Sequence, residues 1–160
     1  MDSLTQRALQ FLRQRDVTRP FFLMISHNSI HDPLMEHADS VAAWAQRPLP
    51  ADSSGHPVWG AMVARLDRSV GRMLAALDSL GLEEETLVVF YGDNGAKHAY
   101  AAQTPLRAGK GWLYEGGIRV PLLMRWPGHL PAGAVSEAMV TSMDFTPTLL
   151  QATGGSRGIG

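Results

Sequence analysis

Between Met62 and Leu80 the apolar residues Met62, Leu66, Val70, Met73, Leu77 and Leu80 step by four, four, three, four and three. That rhythm is one face of an α-helix, and a strand, whose side chains alternate every two residues, does not satisfy it. Arg65, Arg68, Arg72 and Asp78 fall elsewhere on the wheel. The spacing therefore predicts an amphipathic helix over residues 58–80, closed by Gly81, which tolerates the positive φ of a helix C-terminus.

Such a stripe needs an apolar surface to cover it. Two runs offer one: Phe21-Phe22-Leu23-Met24-Ile25, set off by Thr18-Arg19-Pro20, and the β-branched and aromatic Thr86-Leu87-Val88-Val89-Phe90-Tyr91. Both read as strands covered on two faces, and the order strand, long helix, strand predicts a right-handed crossover in a parallel sheet. Leu4, Ala8, Phe11 and Leu12 predict a further helix over 3–15, with Asp2 or Ser3 as N-cap. Val120 to Met124 reads as a third, shorter strand that Pro121 confines to an edge, and Asp144-Phe145-Thr146-Pro147-Thr148 opens a last helix. Residues 27–57, with a weak helical hint at Val41 to Gln46, and residues 92–119 read as long loops. The expected fold class is α/β, with parallel strands flanked by helices. Ligands of such open sheets collect at the carboxyl edge, where Ser26-His27-Asn28 and Gly92-Asp93-Asn94-Gly95 should face one crevice.

The 160 residues, 45% hydrophobic, suffice for one core and one domain. Fourteen Lys and Arg against fifteen Asp and Glu leave no broad field for nucleic acid or an acidic membrane. Cysteine is absent, which removes disulfides, thiolate metal sites and a cysteine nucleophile. No apolar run approaches the roughly 18 residues that span a bilayer, and Met1 to Arg7 has no following apolar h-region, so neither a transmembrane segment nor a signal peptide is expected. No compartment follows from that.

Asp93 and Asn94 carry hard oxygen donors suited to calcium or magnesium, although Asp-Asn-Gly alone is also an ordinary tight turn. His31, a few residues past a strand end, has the chemistry to bind an anion or act as a general acid; the bland alternative is a solvated loop histidine. Arg107-Ala108-Gly109-Lys110-Gly111 has two cations in a glycine-bearing turn that suits an anion, without the order of a Walker A loop. Thr153-Gly154-Gly155-Ser156-Arg157-Gly158-Ile159-Gly160 looks like a dinucleotide phosphate loop, but it follows a predicted helix rather than a strand and is read as a decoy. Trp44 and Trp59 are open to either stacking or partial core roles.

Several segments in order resemble the sulfatase family of the alkaline-phosphatase-like superfamily. Pro20 to Pro33 resembles the family's strand and Pro-His-x-Pro turn, with Ile30 where proline is usual. Leu66-Asp67-Arg68-Ser69-Val70-Gly71 resembles its long helix, and Thr86 to Gly95 its strand and metal turn. The most specific match runs from Leu106 through Lys110-Gly111-Trp112-Leu113-Tyr114-Glu115-Gly116-Gly117 to Pro121, followed by Trp126-Pro127-Gly128 and Asp144 to Leu150. The resemblance implies a sulfuric ester hydrolase, with Asp93 and Asn94 as calcium ligands, Lys110 on the sulfate ester oxygens, and His31 assisting sulfate binding or leaving-group protonation. It implies a sulfate ester as the full-length relative's substrate.

One family feature has no counterpart. No Cys/Ser-x-Pro-x-Arg sequence, whose first residue becomes formylglycine, occurs in the chain. Residues 1–160 therefore read as the later portion of a sulfatase catalytic domain with no second domain, an incomplete and weak calcium site and no nucleophile. The expected partners are a complementary N-terminal segment or a second copy. Two alternatives stay open: a non-catalytic remnant that binds an anion or a partner chain, and a phosphate or phosphonate ester hydrolase of the same superfamily.

Overall fold

The computed structural model describes residues 2–48 and 56–155. The chain forms two compact units, Met1–Leu130 and Pro131–Gly160.

In the first unit, α1 (Asp2–Gln14) and α3 (Pro57–Ser79) pack together as their apolar stripes require. Leu9, Leu12, Ala76 and Leu77 form the buried centre, with Phe21, Leu23, Met73, Leu80, Leu82 and Val88 packed around it. One polar contact crosses the same interface: the hydroxyls of Thr5 and Ser69, both buried, lie 2.6 Å apart. The helix ends follow from local chemistry. Arg15 Nη1 donates to the carbonyl of Leu12 at 2.7 Å, satisfying a terminal acceptor of α1. At the end of α3, Gly81 takes φ +66°, Gly81 N donates to Asp78 O at 3.1 Å and Leu82 N to Leu77 O at 2.9 Å. This is a Schellman closure, and Leu82 folds back onto the core as that motif favours.

The expected long loop after residue 27 contains a helix, α2 (Ala38–Ala45), which packs on α3. Trp44 lies directly over Gly60, where an added Cβ would come within 2.7 Å of the indole, so this tryptophan serves packing rather than ligand stacking. The expected loop over 92–119 likewise ends in a single helical turn, α4 (Glu115–Ile118).

The fold is α/β, and the sheet among the described residues is a two-stranded antiparallel one, without a parallel pair. β1 (Val88–Tyr91) pairs antiparallel with β2 (Leu122–Arg125), in the register Val88 to Arg125 and Tyr91 to Leu122. Gly92 N donates to Pro121 O at 3.1 Å and extends the antiparallel ladder by one bond beyond β1. Phe21 to Ile25 pairs with no strand among the described residues. Its side chains alternate instead: Phe21 and Leu23 enter the core, while Phe22 and Met24 stand 75% and 74% exposed. A continuous apolar run was read as covered on both faces, and here one face is covered. Arg125, at 3.3 Å from Asp78 and 3.1 Å from Glu83, and Trp126 Nε1, donating to Glu84 O at 2.9 Å, tie the end of β2 to the chain after α3.

The second unit holds a 3-10 turn (Ser142–Asp144) leading into α5 (Phe145–Ala152), started by a capping box in which Thr141 N donates to Asp144 Oδ2 at 2.7 Å. Thr153, Gly154 and Gly155 close that helix, with Gly154 at φ +72°, so the glycine-rich tail does follow a helix; residues 156–160 lie outside the described ones. Among the described residues no helix is long and apolar enough to cross a membrane.

Leu77 touches both helices' contribution to the core, so Leu77→Ala should cost about 2–5 kcal/mol in urea unfolding. A loss below about 1 kcal/mol would show that the α1–α3 contact is not what stabilises this unit.

Candidate functional site

Three segments meet at the end of β1. The strand stops at Tyr91, and Asp93-Asn94-Gly95 turn away from it. Gly95 N donates to Gly117 O at 2.9 Å, and a side chain on Gly95 would overlap the carbonyl of Gly116. Lys110 N donates to Ala96 O at 3.0 Å, and a Cβ on Gly109 would stand 2.6 Å from that same carbonyl oxygen. Gly116 N in turn donates to Arg107 O at 2.8 Å, and Gly116 and Gly117 are buried. Only glycine permits backbones to approach this closely. The segments bearing Asp93 and Asn94, and Lys110, are thereby locked to one another through main-chain bonds, with the Arg107 guanidinium 3.8 Å above the Tyr114 ring closing the outer side.

Backbone N–H groups of the 107–111 turn were expected to cradle an anion. The Lys110 N–H of that turn already donates to Ala96 O, as does the following Trp112 N–H to Gly109 O, while the Lys110 side chain lines the cavity described below.

The third segment is 27–33. Ile30 adopts φ +61°, a region β-branched residues rarely occupy and proline cannot reach. His31 follows, its Nδ1 3.0 Å from Asp32 O. Asp32 is ion-paired with Lys97 and accepts a hydrogen bond from the Tyr100 hydroxyl at 2.7 Å. This clamp joins the histidine turn to the chain just after Asp93 and Asn94.

His31, Asp93, Asn94 and Lys110 line one cavity of about 200 Å³, together with His27, Asp32, Trp59, Lys97 and Tyr100. Asp93 and His31 are exposed at its mouth; Asn94 and Lys110 are half-buried. Sequence reading passed over Asp32, Lys97 and Tyr100. The only local signal was Asp32 between His31 and Pro33, because its partners are 65 and 68 residues away.

The clamp is robust to pH. Hydrogen bonds from Lys97 and then Tyr100 hold the Asp32 carboxyl below the usual carboxylate range, and Asp32 holds Lys97 and Tyr100 above theirs. Its contribution is present above about pH 4, the unfolded carboxylate value, and is lost only as pH falls through the lower folded one. His27 behaves oppositely. Neither ring nitrogen has a hydrogen-bond partner among the described residues, and burial lowers its pKa by disfavouring the charged imidazolium.

As a metal site the donor set is right in kind and short in number. Asp93 and Asn94 offer hard oxygens, whereas calcium takes about 6–8, and no group of three or more His, Cys, Asp or Glu able to hold a metal converges among the described residues.

Two outcomes follow. Gly95→Ala should destabilise the first unit by at least about 1–3 kcal/mol and shift the Lys110 and Gly117 amide resonances, because the added methyl overlaps backbone; an unperturbed spectrum would contradict the interlock. Below about pH 6.5 the unfolded His27 takes up a proton that the folded one refuses, so stability should fall as pH drops from 7 to 5. His27→Gln should flatten that slope; identical slopes would show that His27 does not carry it.

The family model described as Sulfatase matches residues 1–156. The chain is 39% identical over 140 residues to "Arylsulfatase A" of Homo sapiens, covering 85% of this chain and 25% of that protein. It is 38% identical over 160 residues to "Steryl-sulfatase" of Mus musculus, covering 94% and 24%. Among solved structures, Ps i-CgsB in complex with k-i-k-neocarrahexaose superposes with a TM-score of 0.87 at 35% identity, over 97% of this chain and 34% of that one. PsFucS1 sulfatase from Pseudoalteromonas sp. gives 0.81 at 30% identity, over 99% and 31%. The chain thus spans about a quarter of the length of the curated relatives it matches. With nearly its whole length matched by the family model, the chain belongs to the sulfatase family.

Proposed function

We propose that these residues supply part of the active site of a sulfuric ester hydrolase. In this reading Lys110 contacts the sulfate ester oxygens, His31 assists sulfate binding or protonates the leaving group, and Asp93 and Asn94 contribute oxygen ligands to a calcium ion. The observation that carries it is the shared cavity: the four side chains come from three segments and line one space.

The chemistry is consistent with sulfuryl transfer, in which negative charge grows on the leaving oxygen. Lys110 brings a compact cation with three donors to the ester oxygens. The Asp32 carbonyl can only accept, so His31 Nδ1 carries the proton of that contact, and Nε2 can protonate a leaving group only when the ring is the doubly protonated imidazolium. A bound calcium ion would add positive charge beside the sulfate. The relatives' names differ in the organic part of the ester, so the proposed substrate class is a sulfate ester without further restriction. Similarity to sulfatases favours this reading over a phosphate or phosphonate ester hydrolase and over a non-catalytic remnant.

The 160 residues contain no formylglycine precursor, so by themselves they have no covalent route. We propose that a complementary segment of a sulfatase domain, or failing that a second copy, covers the exposed Phe22, Met24 and Leu123. The purified 160-residue chain is expected to show no hydrolysis of 4-nitrophenyl sulfate above background and to bind calcium at about millimolar Kd or weaker by calorimetry. Robust hydrolysis abolished by Lys110→Ala would overturn the assignment of an incomplete site, and calcium binding unchanged by Asp93→Asn would remove Asp93 from the metal's ligands.

A further inference from the structure

A second concavity, of about 240 Å³, lies between α1 and α3. Its lining is Thr5 from α1 and Arg65, Arg68, Ser69 and Arg72 from α3. All five side chains are hydrogen-bond donors, three carry a permanent positive charge, and among the described residues no carboxylate is part of the lining itself. The arginines sit at i, i+3 and i+7, which places them along one helix face, with Ser69 between.

The floor is built. Thr5 and Ser69 are 1% and 4% exposed, and their 2.6 Å contact fixes the two hydroxyls at the base of the notch. Arg65 is already oriented at the rim by Glu36, 3.3 Å away, whose carboxylate is almost sealed from solvent. Arg68 and Arg72 differ. They are exposed, form no ion pair among the described residues, and stand at i, i+4, where like charges repel. A chain with fourteen Lys and Arg in all places three of them, as guanidinium groups, around one polar notch. An oxyanion seated there would turn that repulsion into charge-assisted, bidentate hydrogen bonds.

We infer that this notch binds a tetrahedral oxyanion, a sulfate or phosphate held by Arg68 and Arg72 over the Ser69 hydroxyl. The group is either a free ion or the terminal monoester of a larger molecule. The site is separate from the Lys110 cavity and does not depend on the reaction proposed there.

The test follows the arginine Nε–Hε resonances of the 160-residue chain at constant ionic strength during titration with sodium sulfate, sodium phosphate, methyl sulfate or sodium chloride. Arg68 and Arg72 should shift saturably with sulfate or phosphate and not with chloride. The double variant R68Q/R72Q should weaken that binding at least tenfold while helix content, read by circular dichroism, and the Lys110 response stay unchanged. K110A should leave the notch as it was. Methyl sulfate binding as well as sulfate supports the site with a monoester as its occupant; sulfate alone supports it with a free ion. Shifts that never saturate, that chloride reproduces, or that persist in R68Q/R72Q would overturn the inference.

Discussion

The wall of the cavity that carries Asp93, Asn94 and Lys110 depends on how closely three stretches of backbone approach one another. Gly95 bonds to Gly117, Lys110 to Ala96, and Gly116 to Arg107, and at Gly95, Gly109, Gly116 and Gly117 a side chain would collide with main chain. Main-chain hydrogen bonds in a packed, side-chain-free contact have little slack. The lysine and the Asp-Asn turn are thus held by the same few bonds, and the chemistry at the cavity inherits its geometry from glycine rather than from the polar residues that face the ligand.

The histidine side of the cavity is held differently, by charge. Asp32 reaches Lys97 and Tyr100 across a long sequence separation, and its backbone carbonyl engages the ring of His31. Glycine packing sets one wall and an ion pair sets the other. Substitutions should separate accordingly: those at the glycines disturb the fold of the wall, whereas those at Asp32 or Lys97 free the histidine turn and leave the wall in place.

Much of this was legible in the sequence where periodicity or end chemistry is local. The stripe from Met62 to Leu80 located α3, and Gly81 located its end, because both signals lie within one or two helical turns. The strand read at Thr86 to Tyr91 appears as β1, and the partner it shows among the described residues is the antiparallel β2. An apolar run such as Phe21 to Ile25 states that burial is favourable, not which faces are covered or which strand lies alongside. Asp93, Asn94, Lys110 and His31 stand in short contiguous motifs, which is why the sequence singles them out, and they line one cavity. Asp32, Lys97 and Tyr100 were missed because their significance is a long-range contact, and the arginine notch because it exists only once α1 lies against α3.

The central claim is that His31 and Lys110 serve one bound oxyanion beside Asp93 and Asn94. Nuclear magnetic resonance of the chain with side-chain-labelled lysine and histidine, titrated with inorganic sulfate, addresses it directly. If the claim holds, the His31 ring and the Lys110 ε-methylene shift together along a single saturation curve, and the Asn94 amide follows. Curves with different midpoints, or a response at one residue with silence at the other, would mean that the two side chains share a cavity wall without sharing a ligand.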